Sequence, residues 1–548
     1  MSFYRLNWPP LSYIHVLPPG PPESDLQMAL LSLGITLSPG LLGVALALLL
    51  LLQLLLRRIL LRKGVPLPPG PRGLPLIGNM LDMPRYKPWI GLRDFTATYG
   101  SLVYLRIPRN PLLIIGDADI AFELLDKKSA HTSDRPTNPM AELMGMDGIF
   151  GLMPYGERWK RHRRGFWPHF HPGVISKYHD AQSVQVRRFI AKLLHAPSRV
   201  KEHIRFNFSA TMLKIGYDIE VQDERDEHIH VIDAALDAIG QAVPGRFLIE
   251  VLPWLRYVPA WVPGAGFQTV FARCKAANDR LKHQPFDELK QRLETDDPTI
   301  DPCLGIELLA QLKLDHEARH IPLEENDLAK NICANAFEGG AETTFSTLQA
   351  FFVAMVLHPE VQRKAQAELD AVVGSHRLPE HGDRPQLPYI NALMKELLRW
   401  HVTLPIGVPH KTVRDTELGG YRVPAGTTVF VNVWHILHDP REYEDPDEFR
   451  PERFLEADGS PKTGIRDPTD LAFGFGRRVC PGRHFAEDIL FLNITSVLHL
   501  LEIGPPVDQG GEPVQITYQQ SHGLLSYPED CRCSVKARSP DALALIME

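Results

Sequence analysis

Hydrophobic and polar positions divide the chain into two unlike parts. Between Leu26 and Leu56 there is no Lys, Arg, Asp, Glu or His, and Leu41–Leu56 reads LLGVALALLLLLQLLL. A bilayer core takes about 20 apolar residues in a helix, which this stretch supplies. Beyond residue 76 the apolar positions become periodic. Tyr99–Ile115 alternates as two short strands around Pro108-Arg109-Asn110, and a second pair is expected from Tyr421–Val423 across Pro424-Ala425-Gly426 to Thr427–Val433. Ala118–Leu125, Val184–Leu194, Asp327–Leu357 and Pro388–Trp400 carry helical spacing instead. The body is therefore expected to be mainly α, with small β lobes and no internal repeat.

The flanks of the apolar run orient it. Arg57, Arg58, Arg62, Lys63 and Arg72 follow it, whereas Arg5 is the only Lys or Arg before it. Positive charge stays cytosolic, so the body should face the cytosol behind a single-pass transmembrane helix. A cleaved signal peptide is the weaker alternative, because the run exceeds a usual signal core and no charged leader precedes it. The expected organisation is a short lumenal tail (1–25), a transmembrane anchor (26–61), a Pro-rich linker (62–75) and a catalytic body (76–548). Met28 leaves open a start site that omits the tail. The linker, with Pro66, Pro68, Pro69, Pro71 and Pro75, lacks donors and has fixed φ angles, so it should be stiff and extended.

Composition narrows the function classes. A net charge of −7 gives no support to a large basic surface for nucleic acid. Six cysteines in 548 residues are too few for a disulfide scaffold and suit a reducing compartment. Cys531-Arg532-Cys533 lacks further ligands for zinc. The sequons at Asn207 and Asn493 should stay unmodified in a cytosolic body.

The decisive string is Phe473-Gly474-Phe475-Gly476-Arg477-Arg478-Val479-Cys480-Pro481-Gly482-Arg483. Glycines at 474, 476 and 482 can bring backbone N–H groups to one sulfur, and a helix opening at Pro481 adds its positive end. Phe473 and Phe475 can keep water away. A dry, hydrogen-bonded, lone thiolate is what an axial haem ligand requires. The string resembles the haem-binding signature of the cytochrome P-450 family, Phe-x-x-Gly-x-Arg-x-Cys-x-Gly, at every fixed position. The resemblance implies Cys480 as the iron ligand and Arg478 as a propionate contact.

Three further segments fall in the family's order. Glu396 and Arg399 stand three apart on one helix face, and the resemblance adds Arg453 of Pro451-Glu452-Arg453-Phe454 to make a buried structural charge triad. Gly339-Gly340-Ala341-Glu342-Thr343-Thr344 interrupts a long helix with two glycines, each costing roughly 1 kcal/mol relative to alanine. Room beside a flat cofactor is one reason for them, and simple helix packing the other. Thr343 can bond back to the Gly339 carbonyl. With Glu342 connected to water, the pair would form a proton relay for O–O scission. Trp159 and Arg163 lie four apart and can meet an anionic propionate. Their neighbours Lys160, Arg161, His162 and Arg164 are expected to form a docking patch for an acidic flavoprotein. His410 sits where the resemblance implies another propionate contact.

Taken from residue 66 onward, the resemblance implies a membrane-anchored haem–thiolate monooxygenase with the family's helical prism fold. The cofactor implied is haem b, with electrons from NADPH through a separate cytochrome P-450 reductase and cytochrome b5 as an optional second donor. The implied location is the endoplasmic reticulum membrane. The expected reaction is R–H + O₂ + two electrons + two protons giving R–OH + H₂O. Met140–Met153, Phe337, Ala341, Leu404–Val408 and Ser521–Leu525 are expected to line an apolar pocket for a small lipophilic molecule. MAELMGMDGIFGLMPYGERWKRHRR and YVPAWVPGAGF resemble fungal members of secondary metabolism, which oxidise terpenoid, polyketide or indole skeletons. Two rivals stand beside this reading: a haem–thiolate isomerase or dehydratase working without reductase, and a haem-binding protein without chemistry.

Overall fold

A 35-residue helix, Leu323–Leu357, forms the axis of the structure. Glu324 and Glu325 in its first turn suit the positive end of its dipole. From Phe345 to Met355 it is buried on every side, its polar Ser346, Thr347 and Gln349 satisfied by hydrogen bonds inside the core. Pro359 stops it, because the residue before a proline is driven out of the α region.

The computed structural model describes residues 65–547 except 242–246, 251, 296 and 316–322, together with six positions between 43 and 53. The expected tail and nearly all of the expected anchor lie outside the described residues. Among the described residues no helix is long and apolar enough to cross a membrane. The chain divides into two compact units, Met1–Pro66 and Leu67–Glu548, and every element named below belongs to the second.

In chain order the larger helices are α1 (Pro88–Tyr99), α2 (Glu157–Phe170), α3 (His179–His195), α4 (Val200–Tyr217), α5 (Glu227–Gln241), α6 (Phe267–Glu294), α7 (Leu304–Asp315), α8 (Leu323–Leu357), α9 (Pro359–Val372), α10 (Pro388–Trp400) and α11 (Arg483–Leu500). The axial helix α8 packs along α4 and also touches α2, α10 and α11. Its partners build the main core, in which Phe189, Phe206, Phe208, Phe351, Phe352 and Phe491 are essentially inaccessible.

Among the described residues eight short strands form three sheets: β1 (Leu102–Leu105), β2 (Leu112–Ile115), β3 (His410–Lys411), β4 (Thr416–Leu418), β5 (Tyr421–Val423), β6 (Thr428–Val431), β7 (Leu501–Gly504) and β8 (Ser534–Ala537). The largest runs β1-β2-β6-β3, with Leu102 opposite Ile115 in the antiparallel β1/β2 hairpin and Leu112 beside Thr428 in the parallel β2/β6 pair. Every residue of β1, β2 and β6 is buried. Such continuous apolar runs belong to strands covered on both faces. The expected hairpin of Tyr421–Val423 with Thr427–Val433 does not form. β5 pairs with β4, while β6 joins β2 and β3. Burial explains the choice: β6 is buried throughout and enters the sheet core, whereas exposed Arg422 keeps β5 at the surface.

Candidate functional site

A cavity of about 390 Å³ opens between α8, the segment 471–486 and the stretch Val402–His410. Cys480 is on its wall, half-buried and unpaired in any disulfide. The loop before it is held by short backbone bonds: Arg478 N–H donates to Phe475 O at 3.0 Å, and Cys480 N–H donates to Phe473 O at 2.7 Å. Gly476 has φ +50° and lies so close to the Leu125 carbonyl that a Cβ would stand 2.3 Å from its oxygen. No other residue fits there.

The sequence assigns all three glycines to donating toward the sulfur, and the structure divides that work. Gly474 and Gly476 permit left-handed turns, and the Gly482 N–H is the backbone donor to Sγ. The helix expected from Pro481 begins at Arg483, with Gly482 as its cap. Burial pushes the Cys480 thiol upward, while the Gly482 N–H and the Arg163 and Arg483 charges pull it down. A bound metal ion deprotonates a coordinating thiol outright.

The rest of that wall is cationic. Arg135, Arg478 and His410 are buried, Arg163 is partly buried, and all four line the cavity. Arg135 donates to the carbonyls of Gly151, Val408 and Pro409 at 2.7–2.9 Å. Arg478 donates to Ser133 O, Phe150 O and Met153 O at 2.7–3.3 Å and rests over the Trp159 ring at 4.3 Å. Arg163 donates to Val479 O at 2.7 Å. Among the described residues none of these three arginines has a carboxylate partner. Burial lowers Arg135 far below its ordinary value and brings Arg478 to about 10. His410 Nδ1 is bonded to Thr132 O at 2.9 Å, and burial followed by the Arg135 charge keeps the ring neutral. Uncompensated buried cations are costly, so this wall is built for an anion. A haem b fits this donor set: the cations would hold its two carboxylates and the Cys480 sulfur would bind its iron.

Opposite stands α8. Thr343 Oγ1 donates to Gly339 O at 2.9 Å, as the sequence suggests, and both residues line the cavity. The two glycine explanations turn out to apply to one residue each. A Cβ on Gly339 meets nothing within 4 Å, so that position leaves room, while one on Gly340 would stand 2.8 Å from Met212 Sδ, so that position serves packing against α4. Glu342 is held by groups from two distant parts of the chain. Its buried carboxylate is paired with Arg205 of α4 and accepts from the Tyr527 hydroxyl.

Glu396, Arg399 and Arg453 meet behind the cavity. Arg399 Nε and Nη2 donate to the two Glu396 oxygens at 2.7 and 2.9 Å, and Arg453 Nε donates to both at 3.1 and 2.9 Å. The Arg450 N–H adds a third donor to the carboxylate at 2.7 Å. The spare guanidinium hydrogens go to carbonyls at 437, 444–446 and 448. One ionic knot thus ties α10 to the loop approaching the 473–480 segment.

Several expectations need correction. Phe337 and Ala341 are packed in the core and do not line the cavity; Ala336, Glu338 and Gly339 do. The expected positive docking patch is largely neutralised, since Lys160 and Arg164 pair with Glu157, Arg161 pairs with Glu325, and His162 is buried against Arg158 O. The sequons, by contrast, agree with expectation: Asn207 and Asn493 are buried and bonded to each other at 2.7 Å, out of reach of any glycosylation machinery. Sequence reasoning missed Arg135, whose signal was an isolated base between Asp134 and Pro136, and Glu338, the residue before the glycine pair.

A free cysteine in a glycine-bent loop, a cationic wall and a helix opened by a glycine form a site that suits a haem–thiolate centre. Comparison with known proteins agrees. The cytochrome P450 family model matches residues 68–529. Cytochrome P450 monooxygenase COX1 of Coprinopsis cinerea is 38% identical over 498 residues, covering 90% of this chain and 96% of the relative. Tryptamine 4-monooxygenase of Psilocybe cyanescens is 35% identical, covering 87% of this chain and 94% of the relative. The chain belongs to the cytochrome P450 family and is a haem-dependent monooxygenase.

Proposed function

We propose that the protein inserts one atom of O₂ into a small lipophilic substrate of fungal secondary metabolism, drawing electrons from NADPH through a separate reductase. The observation that carries the reading is Cys480 on the wall of a mostly apolar cavity whose same side holds unpaired buried cations. Relatives of this length and similarity, a tryptamine hydroxylating enzyme by name among them, support the metabolic setting.

Haem with a thiolate ligand supplies O₂ activation when bound. The protein does the rest. Cys480 ligates and Gly482 N–H stabilises its negative charge. Arg135, Arg478, His410 and Trp159 orient the propionate edge. The Thr343 hydroxyl, with Glu342 anchored beside it by Arg205, is the group placed to pass a proton into the cavity. Phe150, Leu404, Val408 and Leu525 exclude water from the substrate. The leucine-rich run and the positive charge after it support a single-pass endoplasmic reticulum anchor with the body in the cytosol.

Co-expression with a fungal reductase tests this. The reduced carbon-monoxide difference spectrum should show the far-shifted Soret peak of a thiolate complex, and Cys480→Ala should abolish it. Turnover of a lipophilic substrate independent of NADPH and O₂ would refute the monooxygenase reaction.

A further inference from the structure

Two carboxyl groups of α8 face the cavity one helical turn apart, Glu338 and Glu342, and their surroundings are opposite. Glu342 is held by Arg205 and Tyr527. Glu338 is 9% exposed. Among the described residues it has neither a hydrogen-bond nor an ion-pair partner. Its polar neighbour on the same helix face, Asn335, is fully engaged, donating to Gly148 O and Asn331 O and accepting from Phe150 N–H. The Tyr217 phenol of α4 senses the Glu338 charge but makes no bond to it. Nearby lining is apolar, with Met146, Ile149, Ala336 and Met212.

A buried carboxyl without a partner costs free energy unless something satisfies it. Glu338 opens onto the cavity, so what the cavity holds can supply the partner. Along α8 it stands five residues, or about 7 Å, before Thr343. That distance suits holding a remote part of the substrate and not joining the chemistry. Burial raises its pKa to about 8, so at neutral pH the side chain offers one donor and one acceptor side by side.

We propose that Glu338 is a substrate-positioning residue that hydrogen-bonds a hydroxyl or carbonyl group on an otherwise lipophilic substrate. This rests on the monooxygenase reading and names its substrate class: a skeleton already carrying one oxygen. A protonated amine is the competing ligand, and amide substitution separates the two. Glutamine keeps the donor and acceptor but cannot form an ion pair.

Haem-loaded protein, Glu338→Gln and Glu338→Leu should be titrated with 1-decanol, decane and decylamine, following the Soret band. Wild type and Glu338→Gln should bind decanol alike, and Glu338→Leu about 3- to 10-fold more weakly, the range for one uncharged hydrogen bond. Decane should bind all three equally. Isothermal calorimetry should separate decylamine bound at Glu338 from amine nitrogen bound at iron, since only the former depends on residue 338. Loss of decanol binding in Glu338→Gln as large as in Glu338→Leu, no preference for decanol over decane, or no response to either overturns the proposal. An unchanged carbon-monoxide spectrum in Glu338→Leu keeps such a failure distinct from failure of the haem–thiolate reading.

Discussion

Two buried ionic clusters lie on neighbouring sides of one segment, and they obey different rules. In the Glu396–Arg399–Arg453 knot every oxygen and nearly every guanidinium hydrogen is engaged inside the protein. In the wall of Arg135, Arg163 and Arg478, with neutral His410 beside them, the positive charges meet carbonyls, the Trp159 ring and an open cavity, and no carboxylate among the described residues. The first is closed and has nothing left to offer a ligand. The second is electrically incomplete until an anion arrives. A count of buried charges would rank the two alike; the presence or absence of the balancing carboxylate separates structure from binding.

Breaking the closed cluster should have the largest effect. Glu396→Ala leaves Arg399 and Arg453 as uncompensated buried cations, costing about 3–5 kcal/mol. Thermal unfolding should shift sharply downward, and the purified variant should lack haem absorbance. Normal haem content with an unchanged melting temperature would contradict the role given to the knot.

Next comes a buried group with no partner at all. Glu338 keeps its proton in the folded state up to about pH 8, against an ordinary value of 4.5 that applies when unfolded. Between these values the folded protein binds more protons, so stability falls as pH rises. Glu338→Gln lacks this loss, and its advantage over wild type should grow from pH 5 to 8, reaching on the order of 3 kcal/mol near pH 7. Urea unfolding of the haem-free protein at several pH values measures it; a constant difference would refute the burial argument.

The open cluster should respond more in ligand affinity than in folding. Arg478→Met removes a charge-assisted contact worth about 1.5–3 kcal/mol to a bound propionate. Haem should therefore transfer faster to apomyoglobin, while melting of the haem-free form drops less than in Glu396→Ala. Equal losses in both variants would erase the distinction between the clusters. The smallest effect separates the two glycines of α8. In haem-free protein Gly339→Ala should stabilise by up to about 1 kcal/mol, whereas Gly340→Ala should gain less because its Cβ presses on Met212. Identical melting temperatures would show that both face the same surroundings.

Local pattern made much of this legible. The helices around Val184–Leu194, Asp327–Leu357 and Pro388–Trp400 and the β1/β2 hairpin follow from periodicity, since each buries one repeating face or is apolar throughout. The cysteine string and the Glu396–Arg399 spacing are likewise local. Failures arose where partners come from far along the chain. β6 joined β2, more than three hundred residues earlier, instead of the adjacent β5. Arg205 and Tyr527 reach Glu342 from α4 and from the C-terminal region, and no spacing announces either contact.

By itself the sequence singled out the cysteine string, the glycines that let its loop turn and the helices that enclose it, because each depends on residues within one or two turns. Which cations remain unpaired, which glycine opens space and which of two adjacent glutamates is free were decided only by tertiary structure. Electrostatic balance and packing depend on distance in space, and the chain brings those distances about only when it folds.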